Sequence, residues 1–272
     1  DPASLERAIH ALLQNDPALH PLPKGYESLT PRAVIPVDLF GLPADYAAIE
    51  AVASAHGLPI IEDAAQGFGG AVNGRRAGSF GLCAATSFFP AKPLGGYGDG
   101  GAIFTDDEAL HEKLVSLRVH GQGSDKYENV AVGLNARLDT LQAAILLPKL
   151  EIFPEELELR QVAAARYTDR LAGLVETPVI PDGYFSAYAQ YTVRTDRREQ
   201  LMSGLSASGV PTMVYYRIPL HLQPVFAHLG YREGDMPHSE KASREVVSLP
   251  MHPWLTEADA ETIGNAIRAV LW

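Results

Sequence analysis

The sequence predicts an α/β protein with a mostly parallel central sheet, followed by a smaller α+β domain. Short apolar segments and amphipathic helices alternate in the first half of the chain, in the order strand, helix, strand that forms a βαβ unit. Beyond Thr177 the predicted strands are short and alternate with helices, which is typical of mixed or antiparallel pairing. The composition is that of a globular protein, since 46% of the 272 residues are hydrophobic and 20% are charged.

Composition and charge disfavour several classes of protein. With 22 basic and 33 acidic residues the net charge is −11, whereas nucleic-acid binding needs a clustered basic surface. The single cysteine, Cys83, excludes an internal disulfide and a cysteine-based metal cluster, and it favours a cytoplasmic setting. The nine histidines show no paired ligand spacing, so we expect no metal. We also expect no membrane span and no leader, because the apolar runs are short and no basic-then-apolar segment opens the chain.

The first half of the chain contains the elements of the predicted sheet. Residues 2–13 form a predicted helix with Asp1 as its cap, and residues 14–32 form a proline-rich loop. The elements predicted next are strand 33–37, helix 44–57, strand 58–63, a hairpin turn at Asn73-Gly74, strands 84–89 and 101–105, and helix 106–121. Ligands of such sheets bind at the carboxyl ends of strands, where Asp63 and Lys92 lie.

The second half predicts a connecting helix and a small domain. From Gly133 a loop becomes a helix, and a longer helix is predicted over residues 155–175. A change in composition near Thr177 indicates a domain boundary. The later predicted elements are strand 190–194, helix 197–208, strand 211–216 and helix 256–271. We therefore predict a large domain (residues 1–150), a connecting helix (151–176) and a small domain (177–272).

Lys92 is the first candidate for a reactive side chain. A single lysine is most often a solvated surface charge. Lys92, however, lies between Pro90 and Pro93, after an apolar strand and before a glycine-rich turn. Burial at this position favours the neutral, nucleophilic amine that Schiff-base formation requires.

Three polar residues near strand ends are further candidates. Asp63 is either the N-cap of the next turn or a carboxylate that keeps the pyridine nitrogen of a pyridoxal phosphate protonated. Opposite charges ~4 Å apart at an effective dielectric of ~20 interact by about 4 kcal/mol, which is about three pKa units. Ser87 is either an outward strand residue or a phosphate donor, and Gln66 is either a surface amide or a donor beside the cofactor ring. The GDGG turn at 98–101 is a weak signal.

Four segments together resemble the DegT/DnrJ/EryC1/StrS family of sugar aminotransferases. They are EDAAQ (62–66), SFFPAKPLGGYGDGGAIFT (87–105), LRVHGQ (117–122) and GLNARLDTLQAA (133–144). The resemblance extends from about Val34 to the end of the chain and implies the aspartate-aminotransferase fold (fold type I), pyridoxal 5′-phosphate and a homodimer with shared active sites. In the family a longer N-terminal part with a phosphate-binding turn comes first, so we expect the large domain to be N-terminally incomplete.

The resemblance implies a role for each residue of the first group of candidates. Lys92 binds the cofactor covalently and later moves the proton between the substrate carbon and the cofactor. Asp63 pairs with the pyridine nitrogen and Gln66 with the ring hydroxyl, while Ser87 binds the phosphate.

A second group of residues is implied to bind from the neighbouring subunit or to contact the substrate. Asn135 reaches the phosphate from the neighbouring subunit, and Arg137 contacts the nucleotide-sugar from that same subunit, as suits the planar guanidinium. Tyr215, Tyr216 and His221 line the sugar and nucleotide side. Ordinary packing at a strand end explains the two tyrosines equally well.

Three further segments resemble the enzymes that aminate a UDP-linked 3-keto sugar, among them the branch acting on UDP-2-acetamido-3-oxo-glucuronic acid. They are PVDLFGLPADY (36–46), AYAQYTVR (187–194) and VYYRIPLHLQP (214–224). The implied function is transamination of a nucleotide-linked keto sugar with glutamate as donor, in amino-sugar biosynthesis for surface polysaccharide or a glycosylated metabolite.

Other functions remain open or are disfavoured. Related enzymes that dehydrate sugars carry a histidine in place of the lysine, so Lys92 favours transamination. A non-catalytic paralogue with a binding or regulatory role is the alternative. A nicotinamide oxidoreductase is disfavoured, because no G-x-G-x-x-G with a suitably placed acidic residue follows a strand.

Overall fold

A computed structural model describes residues 1–272. Its helices are α1 (Pro2–Gln14), α2 (Tyr46–Ala55), α3 (Glu108–Arg118), α4 (Thr140–Leu171), α5 (Arg198–Ala207), α6 (Pro237–Glu245) and α7 (Glu257–Leu271). Its strands are β1 (Ile61–Asp63), β2 (Ala71–Val72), β3 (Arg75–Arg76), β4 (Cys83–Ser87), β5 (Gly101–Phe104), β6 (Tyr184–Phe185), β7 (Tyr191–Arg194) and β8 (Val246–Leu249). None of these helices combines the length and the apolar character that crossing a lipid bilayer requires.

The central sheet has the strand order β1-β4-β5. Strands β1 and β4 are parallel, and β5 runs antiparallel to β4. The predicted strand 33–37 is wrong, because this segment forms only two isolated parallel bridges, Val34 to Ile60 and Val37 to Asp63. Pro36 has no N–H and interrupts the ladder. The bridges nevertheless run parallel to β1, which confirms the βαβ connection through α2.

Local signals placed most element ends correctly. The Asp1 carboxylate caps α1 by accepting hydrogen bonds from the N–H groups of Ala3 and Ser4 at 2.8 and 3.1 Å. Asn73 and Gly74 have φ values of 50° and 82°, which is the left-handed pair that a two-residue hairpin requires. The hairpin joins β2 to β3, and β6 completes this second sheet.

The two predicted helices between residues 133 and 175 are one helix, α4, of 32 residues. Each of the prolines within it, Pro148 and Pro154, removes one helical hydrogen bond. Burial at both ends outweighs that loss. Phe153 packs in a cluster of the large domain, and Tyr167 packs in the core of the small domain. Since α4 starts before residue 151, it crosses the predicted limit of the connecting helix, and the division into domains stays a prediction.

The small domain has the larger core, with 17 buried residues in one cluster. Its antiparallel pair β7-β8 packs with α5, α7 and the end of α4. The predicted strand 211–216 is wrong, because the chain makes only one bridge, from Met213 to Ser248, and then turns. Helix α6 and strand β8 were not predicted from the sequence, and β8 is buried along its whole length.

The large domain is packed less completely. Helix α3 has no fully buried residue, although Leu110, Leu114 and Leu117 are half-buried on one side. A cavity of about 1010 Å³ lies between α3 and the sheet, and its lining is mostly apolar. None of the predicted site residues lines this cavity.

Candidate cofactor site

Asp63 and Ser87 project from the same face of the central sheet. Asp63 pairs in parallel with Ala85, and Ser87 lies two residues further along β4, so all three side chains point in one direction. The Asp63 Oδ1 accepts a hydrogen bond of 3.0 Å from the Ala65 N–H, as the N-cap interpretation predicts. The Oδ2 atom accepts no hydrogen bond from the chain, so the carboxylate also has an oxygen available for a ligand.

Lys92 lies in the turn that follows β4 and is half-buried. Its N–H donates to the Phe89 carbonyl at 2.8 Å, but no protein group accepts a hydrogen bond or forms an ion pair with its amine. Burial lowers the pKa of the Lys92 amine, and the nearby charge of Asp63 opposes part of this change. A less basic amine without a protein partner is suited to nucleophilic chemistry.

Gln66 connects the sheet to the small domain. Its side chain is buried, at 5% exposure. The Oε1 atom accepts a hydrogen bond of 2.6 Å from the Phe40 N–H, and Nε2 donates to the Tyr216 hydroxyl at 3.3 Å. Hydrogen bonds at both ends of the amide therefore fix its orientation, and the surface interpretation of Gln66 is wrong.

Two residues of α4 hold the turn after Lys92, and the sequence analysis did not identify them. The Gln142 Oε1 accepts a hydrogen bond of 2.7 Å from the Tyr97 N–H, and the Lys149 ammonium donates to the Gly95 carbonyl. A Cβ atom on Gly96 would lie 2.9 Å from the Gln142 Oε1. The three glycines at positions 95, 96 and 98 were the available signal, because glycine permits such close approach.

Asn135 and Arg137 lie apart from this group on an exposed segment. The Arg137 Nε donates to the Asn135 Oδ1 at 3.0 Å, and both side chains are exposed. Asn135 also forms a bridge with Val119 at the end of α3. No contact within the chain brings either residue to Lys92 or Asp63.

The remaining predicted residues lie on the loop after residue 213. Tyr216 is exposed apart from its contact with Gln66, and Tyr215 is half-buried. The His221 ring is buried and its Nε2 lies 3.0 Å from the Glu240 Oε1. Hydrogen bonds from the N–H groups of Gly234 and Met236 hold the pKa of Glu240 below its usual value, and His221 contributes in the same direction. The contribution of His221 to a substrate site stays a prediction.

Four of the predicted residues, called the cofactor wall below, fit a pyridoxal phosphate: they are Asp63, Gln66, Ser87 and Lys92. A cofactor of this type needs an amine, a carboxylate for the ring nitrogen, and polar donors for the ring oxygen and the phosphate. Lys92, Asp63, Gln66 and Ser87 supply these groups on adjacent elements. No group of three or more metal-ligating side chains is present.

Comparison with known proteins identifies the family. The model of the DegT/DnrJ/EryC1/StrS aminotransferase family matches residues 24–268. The chain is 51% identical to a UDP-2-acetamido-2-deoxy-3-oxo-D-glucuronate aminotransferase of Pseudomonas aeruginosa over 88% of its length and 67% of that relative. It is 48% identical to a pleiotropic regulatory protein of Geobacillus stearothermophilus, over 87% of this chain and 64% of the relative. The chain thus spans about two thirds of the length of these relatives.

Solved structures share the fold. A DegT DnrJ EryC1 StrS aminotransferase from Brucella abortus superposes with a TM-score of 0.92 at 46% identity, covering 100% of this chain and 70% of that one. The NtdA structure from Bacillus subtilis, solved with bound cofactor PMP, gives a TM-score of 0.80 at 31% identity, covering 91% of this chain and 59% of that one. Both similarities agree with the predicted fold type I architecture. The chain belongs to the DegT/DnrJ/EryC1/StrS aminotransferase family.

Proposed function

We propose that this chain is the main part of a pyridoxal-phosphate-dependent transaminase that aminates a nucleotide-linked keto sugar, with glutamate as amino donor. The observation that carries the proposal is the Lys92 amine, which is half-buried, has a lowered pKa and lies near the Asp63 charge. The similarity to the Pseudomonas relative supports a UDP-linked 3-keto sugar as the substrate class. A role in amino-sugar biosynthesis for surface polysaccharide or a glycosylated metabolite, in the cytoplasm, is part of this proposal.

The chemistry divides between the cofactor and the wall residues. When bound, pyridoxal phosphate supplies an electron sink for the negative charge that develops on the substrate carbon. The Asp63 carboxylate provides the negative charge that retains a proton on the ring nitrogen. Gln66 Nε2 is the donor for the ring hydroxyl, and the Ser87 hydroxyl is a donor for the phosphate.

Lys92 performs the proton transfer. Because burial lowers its pKa, the Nζ atom is neutral in a larger fraction of molecules near neutral pH than a solvated lysine is. A neutral Nζ accepts a proton from the substrate carbon on one side of the reaction and returns it on the other. The turn around it is fixed by Gln142 and Lys149, which holds the amine in one place.

Substrate binding is assigned to a homodimer with shared sites. The Arg137 guanidinium is exposed, so it is available to bind a diphosphate or carboxylate in the partner's site, and Asn135 is available for the phosphate of the partner's cofactor. Tyr215, Tyr216 and His221 are assigned to the sugar and nucleotide side. The hydrogen bond between Tyr216 and Gln66 supports this, since it places the tyrosine beside a wall residue.

The direct test is a turnover assay with the full-length protein. Pyridoxal phosphate, glutamate and UDP-2-acetamido-3-oxo-glucuronic acid are supplied, and the amino sugar and 2-oxoglutarate are measured by mass spectrometry. We expect both products in equal amounts. A protein that binds the cofactor but leaves this sugar and other nucleotide-linked 3-keto sugars unchanged contradicts the proposal.

A regulatory role is the second candidate, and the similarity to the Geobacillus regulatory protein favours it. The two functions differ in what Lys92 does. A regulator built on this fold has no need of turnover, so it would bind sugar nucleotide without consuming glutamate. The assay above separates these outcomes.

A further inference from the structure

Asp38 carries a buried carboxyl group that the proposed mechanism does not use. Its side chain is 0% exposed. The Oδ1 atom accepts hydrogen bonds from the Tyr46 hydroxyl at 2.8 Å and from the Ala44 N–H at 3.0 Å. The Oδ2 atom is buried and has no donor from the chain. A Cβ atom on Gly67 would lie 2.4 Å from this oxygen, so Gly67 packs directly against it.

Glu62 is an acidic neighbour of Asp38 whose charge raises the pKa of the Asp38 carboxyl, and its side chain is also 0% exposed. Its Oε1 accepts a hydrogen bond of 2.7 Å from the Gly78 N–H, and its Oε2 accepts one of 2.8 Å from the Phe80 N–H. A hydrogen bond between two carboxyl groups requires a proton on one of them. Two adjacent buried carboxylates cannot both be ionised without a large repulsion.

The hydrogen bonds decide which of the two carries the proton. Both Glu62 oxygens accept a backbone N–H, and an ionised carboxylate is the better acceptor for both. Asp38 has one oxygen without a donor, which is where a proton is needed. Burial raises the pKa of Asp38 to about 8. Burial also raises the pKa of Glu62, but the hydrogen bonds from the Gly78 and Phe80 N–H groups lower it and so oppose part of this change.

The other ionisable groups around the pair agree with one shared proton. Tyr46 faces it from α2 and is neutral, because burial raises the pKa of its hydroxyl. Asp63 adds negative charge from the end of β1, as its effect on Tyr46 shows. Arg75 on β3 is a cation that acts on Glu62, and it is also paired with Glu50 at 3.0 Å. One negative charge on the pair is therefore favoured over two.

This pair lies directly behind the cofactor wall. The Asp38 N–H donates to the Asp63 carbonyl at 3.1 Å. Two residues later, Phe40 has a φ of 62°, a conformation that costs free energy outside glycine. It is this conformation that presents the Phe40 N–H to the Gln66 Oε1 at 2.6 Å.

We propose that Asp38 is a positioning residue: it donates its proton to Glu62, and this hydrogen bond holds the 38–41 turn so that Phe40 orients the Gln66 amide. The link from Gln66 to the cofactor rests on the proposed function. The proton on Asp38 does not, because it follows from the contacts of the pair alone.

The first experiment compares Asp38→Asn with Asp38→Leu by thermal unfolding of the full-length protein between pH 5 and pH 8. Asparagine keeps the acceptor for Tyr46 and Ala44 and supplies an N–H for Glu62, whereas leucine supplies neither.

Native Asp38 keeps its proton until about pH 8 and the unfolded chain loses it near pH ~4, so native stability falls as pH rises between these values. Asparagine does not titrate. We expect the melting temperature of Asp38→Asn minus that of the native protein to increase from pH 5 to pH 8. A flat difference, or an Asp38→Asn protein as unstable as Asp38→Leu, overturns the proposal.

A second variant keeps the test valid if Asp38→Leu does not fold. In Glu62→Gln only one oxygen remains for two backbone donors, so we expect a larger loss of stability than in Asp38→Asn. Equal or reversed losses place the proton on Glu62 and overturn the assignment.

The positioning role is tested through cofactor affinity, measured by the quenching of intrinsic fluorescence. Asp38→Asn should bind pyridoxal phosphate within about twofold of the native protein, and Asp38→Ala about tenfold more weakly. In a Gln66→Ala background the effect of Asp38→Ala should largely disappear, because the two act through one contact. Additive effects overturn the positioning role. A native protein that binds no pyridoxal phosphate overturns the proposed function instead and leaves the pH result as the test of the proton.

Discussion

The two groups of predicted site residues differ in how their own chain holds them. The cofactor wall, formed by Asp63, Gln66, Ser87 and Lys92, lies on or just after paired strands, and Gln66 is fixed at both ends of its amide. The exposed segment, residues 133–139, carries Asn135 and Arg137, whose side chains bond to each other and to no other side chain. Leu134 within it is 71% exposed.

This difference indicates where each group acts. Hydrogen bonds within the chain hold the side chains of Asp63, Gln66 and Ser87 before any ligand binds, whereas the Lys92 amine has no protein partner. The exposed segment presents charged and apolar side chains that this chain does not cover, as is expected of residues that complete a partner's site. The comparison therefore predicts large effects from wall substitutions within one subunit and effects from the segment that depend on the partner.

Lys92→Ala should cause the largest loss. Removing the amine abolishes both the covalent link and the proton transfer, so we expect kcat/KM to fall by at least about 10³-fold. The visible absorption band of the protein-bound cofactor should disappear. Lys241→Ala, at an exposed lysine of the small domain, is the matched control and should keep both signals. Retention of the band in Lys92→Ala would show that another amine binds the cofactor.

Asp63→Asn should reduce kcat by about 10²-fold, since the charge that protonates the ring nitrogen is lost. A test without cofactor is also available. The Asp63 charge raises the pKa of Lys92, so its removal should lower that pKa further. The pH midpoint for labelling of Lys92 by an amine-reactive reagent, followed by mass spectrometry, should move to lower pH. Asp99→Asn, on the exposed turn nearby, should leave the midpoint unchanged.

Arg137→Ala should raise KM for the sugar nucleotide by about 30-fold with little change in kcat, because a charge-assisted anion contact is worth about 2 kcal/mol. Because Arg137 lies in the exposed segment, the activity of mixed subunits is a second measurement. If the sites are shared, mixing Lys92→Ala and Arg137→Ala subunits gives hybrid dimers with one complete site, and activity should recover to about a quarter of the native value. No recovery after subunit exchange would place Arg137 in the site of its own chain.

Ser87→Ala should have the smallest effect. The hydroxyl accepts a hydrogen bond of 3.2 Å from the Phe89 N–H, and one further contact to a phosphate is worth about 1 kcal/mol. We expect the dissociation constant for pyridoxal phosphate to rise about fivefold, measured by fluorescence titration. Ser206→Ala, at an exposed position of α5, is the control. A change above about 30-fold would mean that Ser87 also supports the strand.

The sequence predicts the wall residues because they follow short-range signals. A carboxylate at a strand end, a lysine between prolines and a glycine-rich turn all lie within 43 positions of each other, from Asp63 to Thr105. Helix ends were also predictable, since Asp1, Asp107 and Thr256 cap with their own side chains. These features need no knowledge of distant contacts.

Features set by distant partners were not predictable. Nothing near Asp38 indicates that Glu62 lies beside it, and nothing near Gln142 indicates that Tyr97 donates to it. The strand predicted at 211–216 has the right composition but pairs only at Met213, because the chain turns at Tyr215. In each case the missing information is a tertiary contact rather than a local preference.

Helix α4 connects the small domain to the turn that follows Lys92. At 1.5 Å per residue its 32 residues extend about 48 Å. Gln142 near its start bonds to the turn after Lys92, and Tyr167 near its end donates to the Pro250 carbonyl at 2.8 Å. A rod of this length that tilts by about 5° displaces its far end by about 4 Å. A slight tilt of α4 about its small-domain end therefore displaces Gln142, which contacts the turn after Lys92.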